Sequence, residues 1–585
     1  MIKTLAAQIK QYKKESLLTP ACMVLEVIAE TIIPLLMGSI IDKGIEAGNM
    51  QHIYVMGAAM IGCSVFGLLS GLGGAVFGAK AATGFARNLR KAMFENIQTY
   101  SFKNIDKFST AGLVTRLTTD VTNVQNAYQM ILRMCFRAPF SLITAMIMAF
   151  MINAKLASVY LIAVMILSVF LVLIIKGAMK HFSELFKKYD DLNASVQENV
   201  SAIRVVKAYV RENFENEKFR KASGNIYDLS VKAEKIVILN SPLMQITVYT
   251  CILLLSWLGA KMIVLGGGTT LTTGNLTTML ALCMNILMSL MLLSMIFVMV
   301  TMSSASAKRI VEILEESSDL TNPADPLTNV SDGSIDFDNV SFSYGGSSGE
   351  PVLKNINIHI RAGETIGIIG GTGSSKSTLV SLISRLYDVT DGSVRVGGTD
   401  VRSYDLETLR NSVSVVLQKN VLFSGTVKDN LRWGDKDASD EDCIRACRLA
   451  CADEFIERMP DKYDTYIEQG GTNVSGGQKQ RLCIARALMK KPKVLILDDS
   501  TSAVDTATDA KIRKTFATEI PDTTKLIIAQ RISSVKDADR IIVLEDGCIN
   551  GFGTHDELLE NNDIYREVYN SQTGGSGDFD ERGEM

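Results

Sequence analysis

The chain changes pattern near residue 310. Before that point apolar residues come in long unbroken runs, and beyond it they come in short runs set between helical stretches. Six of the long runs, near 17–41, 53–79, 131–152, 156–175, 236–264 and 276–300, reach the ~20 residues that a bilayer-crossing helix needs. The run 156–175, LASVYLIAVMILSVFLVLII, holds no charge. The connections between runs are unequal. Residues 42–52, 153–155 and the Gly/Thr run 266–275 are short, whereas 80–130 and 176–235 are long, polar and helical in character. Folded as hairpins, the long ones would project ~35–45 Å at 1.5 Å per residue. Basic residues cluster on the side of the long connections: Lys3, Lys10, Lys13 and Lys14 precede the first run, Arg87, Arg90 and Lys91 follow the second, and Lys308 and Arg309 follow the sixth. The positive-inside rule therefore predicts that both termini are cytoplasmic.

These patterns predict five segments. Residues 1–16 place Ile2, Leu5, Ala6, Ile9 and Tyr12 at helical spacing among lysines, which fits either an elbow helix lying on the inner membrane surface or a frayed terminus. A six-span domain with two long cytoplasmic hairpins would occupy 17–309, and a polar linker 310–332. Residues 333–570 alternate strand-like and helical runs, an α/β signature, and the Gly-rich acidic end 571–585 reads as a disordered tail. The predicted fold class is thus an all-α transmembrane domain followed by an α/β phosphate-loop domain.

Composition narrows the picture. At 47% hydrophobic and 21% charged, the 585-residue chain is too apolar for a wholly soluble protein and too charged for a wholly membrane one. A net charge of −3 supplies no basic field for nucleic acid. Cys443, Cys447 and Cys451 share one helix face, where buried core residues are the better reading than a zinc site, because no fourth ligand lies nearby.

The chemistry lies in the second half. Residues 367–378, GIIGGTGSSKST, follow an apolar strand and precede a helical run, matching the phosphate-loop pattern G-x-x-x-x-G-K-[ST]. Backbone N–H groups of Gly370, Gly371, Thr372, Gly373, Ser374 and Ser375 would face anionic oxygens at the positive end of a helix that begins with Lys376, Ser377 and Thr378. Lys376 would contact the outer phosphates and Ser377 would hold Mg²⁺. Ser375 departs from the pattern, standing where the last glycine is usual. Downstream, VLIL runs into Asp498, a metal-side acid, and Asp499.

Between these lies Val474-Ser475-Gly476-Gly477-Gln478. A phosphate loop, then Ser-Gly-Gly-Gln, then an LxLDD strand resembles the ATP-binding cassette (ABC) transporters, and with six preceding spans the resemblance extends over nearly the whole chain to the ABC exporter half-transporter. It implies ATP and Mg²⁺ as ligands. It also implies Tyr344 as the aromatic on adenine, Gln418 as a Mg²⁺-sensing glutamine, Val474–Gln478 as a signature closing over ATP held by a second cassette, and Asp505 as an acid reaching across the dimer. Hairpin tips would fall near 103–108 and 211–219, each a short helix seated on a cassette, and 465–470 would meet such a tip.

Active members of the family carry glutamate after the metal-side aspartate and histidine in an A-H-R sequence. Here those positions are Asp499 and Gln530. Aspartate falls short by a methylene, and glutamine carries no charge. With the signature intact, this pattern resembles the degenerate-site subunit of bacterial heterodimeric multidrug exporters. The expectation is an exporter of hydrophobic or amphipathic molecules, paired in the bacterial plasma membrane with a second half-transporter that has the consensus glutamate and histidine. The alternatives are a slow homodimeric exporter or a peptide exporter. Met284, Met288, Met291, Met295, Met299 and Met302 share one face of the sixth run, which fits an adaptable apolar pocket or plain helix and lipid contact. Glu26 and Glu30, one turn apart at membrane depth, would meet a cation or pair with Arg137.

Overall fold

The computed structural model describes residues 1–266, 271–346, 349–499 and 503–574. The centre of the outer Gly/Thr run, Ser500–Ser502, the side chain of Met302 and the final eleven positions of the acidic end lie outside the described residues. The chain forms two units, Met1–Gln98 with Ser109–Glu316, and Thr99–Phe108 with Ser317–Met585.

Among the described residues of the first unit, six helices are long and apolar enough to span a membrane. They overrun the apolar segments: Met50–Gln98 has 49 residues and Ala154–Ser201 has 48, roughly 70 Å against a hydrocarbon thickness of ~30 Å. The long inner connections are largely these helices continued. The first span is already helical from Lys13, following a kink at Lys10 (φ 43°), rather than from 17. The sixth runs to Glu315, so 310–315 are helix and not linker. At the other end, 571–574 close the helix Asp563–Gly574 instead of opening a tail.

Small residues set the close crossing of the first and sixth spans. A Cβ on Gly274 would lie 2.1 Å from the Gly38 carbonyl oxygen, so only glycine fits. Beside it, Thr278 Oγ1 donates to the Pro34 carbonyl at 2.9 Å, and Asp42 accepts from Gly274 N at 2.7 Å and Thr272 Oγ1 at 2.5 Å. At the opposite end of the sixth span, Arg309 forms a two-pronged pair with the buried Asp120, at 2.7 and 2.5 Å. The segment 211–219, expected as a short tip helix, instead follows a turn with Val210 at φ 53° and belongs mostly to the 26-residue helix Glu212–Val237.

The second unit holds two main sheets. The antiparallel sheet has order β2-β1-β4-β5, with β1 Ile335–Phe342, β2 Leu353–Ile360, β4 Asp391–Val396 and β5 Thr399–Asp400. The six-stranded sheet has order β12-β11-β3-β10-β9-β6. Its members are β3 Thr365–Gly370, β6 Val413–Val416, β9 Val494–Asp498, β10 Thr524–Ile528, β11 Arg540–Glu545 and β12 Cys548–Gly553. A small pair, β7 Gly425–Thr426 and β8 Tyr466–Ile467, joins the segment 465–470 to the rest of the domain. Strands β3, β9 and β10 are continuous apolar runs because helices cover both faces, and they pair parallel. Register places Ile528 opposite both Ile368 and Asp498, so their C-terminal ends make one edge, the usual ligand edge of such a sheet. The helix Phe102–Phe108, the 103–108 tip, groups with this unit: Tyr387 Oη donates to Asp106 Oδ2 at 2.8 Å. Cys443, Cys447 and Cys451 are buried in its core, and no metal-binding cluster of His, Cys, Asp or Glu occurs among the described residues.

Candidate nucleotide site

The phosphate loop leaves β3 at Gly370, where a Cβ would meet the Leu544 carbonyl oxygen at 2.2 Å; glycine is required by that approach. Gly373 has φ +89°, and nothing lies within 4 Å of where its Cβ or that of Gly371 would be, so this side of the loop is an open cradle. Thr372 is exposed and Ser374 buried. Ser375 is left-handed (φ 70°, ψ 25°) and caps the helix Lys376–Ile383 without a side-chain hydrogen bond. That conformation is the physical reason a glycine would suit the position.

Lys376 Nζ donates to the carbonyls of Gly370 and Gly371, both at 2.8 Å, and to Ser374 Oγ at 3.2 Å. Burial lowers the lysine pKa, opposed by the charges of Asp498 and Asp499. Ser377 Oγ donates to Asp498 Oδ1 at 2.9 Å. Burial pushes the Asp498 carboxyl above the ordinary aspartate range, with the Ser377 hydrogen bond opposing it. A hydroxyl and a carboxylate in contact at the cradle mouth are hard oxygen ligands of the kind Mg²⁺ takes, so the residues fit that ion. Gln418 lies two residues past β6 with its side chain exposed. Tyr344, half-exposed, shares a 2.9 Å hydrogen bond with Thr378 Oγ1 and stands edge-on to Tyr387 at 5.3 Å.

The two altered positions meet. Gln530 Nε2 donates to Asp499 Oδ2 at 2.8 Å, beside a cavity of about 150 Å³ that Asp509, Thr506, Arg531 and Ser534 also line. Asp499 itself is left-handed, φ 47°. Aspartate tolerates that region better than most residues because its short side chain can bond locally.

The signature forms a second cluster. Ser475 caps the helix Gly476–Met489 in a reciprocal box: its Oγ accepts from Gln478 N at 3.3 Å, and Gln478 Oε1 accepts from Ser475 N at 3.0 Å. A Cβ on Gly477 would come within 2.8 Å of the Ala503 carbonyl oxygen, whereas Gly476 has only an ordinary contact with Ala503. Gln480, which sequence reasoning passed over, accepts from Ala503 N at 3.1 Å and so ties the signature helix to the loop before Asp505. Asp505 caps Thr506–Glu519 by accepting from Thr508 N at 2.9 Å, and that bond holds its carboxyl below the usual range. Val474 packs against the domain core.

In the membrane unit, Arg137 reaches both Glu30, at 2.7 Å, and Glu26, at 3.5 Å, so the carboxylates form an ion-paired cluster. Met284, Met288, Met291 and Met295 all lie on an exposed face of the sixth span.

A six-span membrane unit joined to an α/β domain with a phosphate loop, signature and metal-side acid defines an ATPase-coupled ABC exporter, a multi-pass plasma-membrane protein with a cytoplasmic cassette that takes ATP and Mg²⁺. Family profiles agree: "ABC transporter transmembrane region" matches residues 17–291, and "ABC transporter" matches 353–502. The chain is 36% identical over 555 residues to the uncharacterized ABC transporter ATP-binding protein YfiB of Bacillus subtilis, covering 95% of this chain and 96% of that one. It is 35% identical over 578 residues to the protein Mb1304c of Mycobacterium bovis, described in the same words, with 98% of each covered. An ATP-dependent lipid A-core flippase of Desulfotalea psychrophila is 32% identical, over 83% of this chain and 84% of that protein. The chain belongs to the ABC transporter family.

Among solved structures, a bacterial Atm1-family ABC exporter with ATP bound superposes with a TM-score of 0.82 at 24% identity, covering 97% of this chain and 99% of that one. This comparison corrects three linked expectations. The resemblance to a degenerate-site subunit of heterodimeric multidrug exporters, the function drawn from it and the distinct consensus-site partner all give way to this likeness to an Atm1-family exporter fold. The physical reason they misled is visible in the site. Asp499 and Gln530, which together depart from the family pattern, form one hydrogen-bonded pair.

Proposed function

We propose that the chain works as a homodimeric, ATP-driven exporter of a small molecule, with two identical composite sites that turn over slowly. The contact between Gln530 Nε2 and Asp499 Oδ2 carries this reading. A hydrolytic end that had merely decayed has no need of a matched acceptor and donor. In each site the loop amides and Lys376 hold the phosphates, the ammonium exchanging the Gly370 and Gly371 carbonyls for phosphate oxygens. Mg²⁺, when bound, neutralises phosphate charge, and Ser377 and Asp498 are the residues that would hold it. Asp499 orients the attacking water and Gln530 fixes the Asp499 rotamer. Ser475, Gly476 and Gly477 of the second copy close the site. Turnover is slow because the aspartate is ~1 Å short, which is worth about 100-fold, and because Gln530 cannot shuttle a proton.

Complementation between two tagged copies tests this. Lys376→Ala and Ser475→Arg each silence both sites of their own homodimers. Mixed dimers regain one intact site, since one copy supplies the loop and the other the signature. Recovered ATP turnover in dimers purified through both tags supports identical composite sites; silence in well-folded mixed dimers rejects them.

A further inference from the structure

We infer that Gln572, on the C-terminal helix Asp563–Gly574, is a positioning residue for the hydrolytic end of the site. Its side-chain amide spans the turn that carries Gln530. Gln572 Nε2 donates to the Gln530 carbonyl at 2.8 Å, and Gln572 Oε1 accepts from Ile532 N at 2.8 Å. One amide thus holds the backbone on both sides of Arg531. The Gln530 side chain continues the chain of contacts to Asp499. The far end of the helix is anchored independently: Tyr565 is fully buried, its hydroxyl 2.7 Å from His555 Nδ1, and its N–H donates to Asn562 Oδ1 at 2.9 Å. Ile564, Val568 and Tyr569 pack on the same core as Ile532. Gln572 is therefore presented by a fixed helix to the turn that follows strand β10, whose Ser534 Oγ donates to Asp509 Oδ2 at 3.0 Å. Glutamine matches the job because it offers one donor and one acceptor in a plane; a carboxylate would set an oxygen against the Gln530 carbonyl, and alanine would leave both groups to water.

The inference deepens the function proposed above, resting on it only in taking Asp499 and Gln530 as the hydrolytic end. Gln572 is exposed and its side-chain amide bonds the backbone of the turn, so its loss is expected to change turnover through geometry, not through ATP binding.

The test uses the full chain in lipid nanodiscs, with Gln572→Ala, Gln572→Glu and Asp499→Asn. Gln572→Ala is expected to lower kcat for ATP several-fold with KM within about twofold, and to raise hydrogen exchange at the Ile532 amide roughly fivefold to tenfold, the effect of removing one ordinary hydrogen bond. Gln572→Glu is expected to match the alanine variant at neutral pH and to regain turnover as pH falls and the introduced carboxyl acquires a donor proton. Gln572→Ala does not share that recovery. Unchanged exchange at Ile532 together with unchanged kcat overturns the inference. If turnover ignores Asp499→Asn, the functional reading fails instead, and exchange at Ile532 still decides whether Gln572 holds the turn.

Discussion

Lengthening the second acid by one methylene tests the hydrolytic site at its weakest point. Asp499→Glu moves the carboxylate outward by ~1 Å, and a reacting group misplaced by that much costs about 100-fold, or roughly 2.7 kcal/mol of barrier. Two features of the structure limit the gain. Gln530 remains uncharged, and its 2.8 Å hydrogen bond to Asp499 must be remade to a longer side chain. A net rise in kcat of about tenfold to 100-fold is expected. The backbone adds an opposite effect on stability. Residue 499 sits at φ 47°, where aspartate is tolerated and glutamate has no local bond to compensate its Cβ. The substitution should therefore cost up to about 1 kcal/mol of cassette stability. Steady-state ATPase in nanodiscs and thermal denaturation of the same preparation measure the two effects. A variant no faster than the wild type, with intact ATP binding, would refute the claim that reach limits turnover.

Three further outcomes follow from the geometry. Ser375→Gly relieves a left-handed serine that makes no capping bond, so it should stabilise the cassette by about 0.5–1 kcal/mol after the entropy of glycine is counted, with ATP affinity within about twofold; a destabilised melt would contradict the strain. Burial raises the Asp498 carboxyl, so protons compete with Mg²⁺ at higher pH than at an ordinary aspartate. The Mg²⁺ concentration that half-supports ATP binding should begin to climb, as the medium is acidified, at a higher pH than an ordinary aspartate pKa of about 4 would dictate, and a flat titration would argue against Asp498 as a ligand. Arg309→Ala strands Asp120, which is 1% exposed, and should cost about 2–3 kcal/mol, discounted because the guanidinium is half in water; thermal inactivation within a degree of the wild type would show the pair to be dispensable.

Much of this molecule could be read from spacing. Unbroken apolar runs identify the six spans, because bilayer thickness fixes their length, and the phosphate loop and signature announce themselves because anion binding needs consecutive small residues. Helix ends were less legible. The sixth span continues through Lys308 and Arg309 to Glu315, since polar residues propagate a helix once it is nucleated, and hydropathy registers only the part in lipid. The pairing of Arg137 with Glu26 and Glu30 is legible because charges at membrane depth need partners, but Asp120 with Arg309, and Gln572 with the turn after Gln530, leave no trace in the pattern. Asp499 and Gln530 are legible together as departures from the family pattern, but their 2.8 Å contact is not.

The most direct test of the account is ATP turnover by this chain expressed with no other transporter subunit, purified as a dimer in nanodiscs and compared with Asp499→Asn. The account predicts slow, Mg²⁺-dependent turnover that Asp499→Asn abolishes. A dimer that binds ATP yet never hydrolyses it, or whose turnover survives Asp499→Asn, would contradict the claim that the chain completes its own hydrolytic sites.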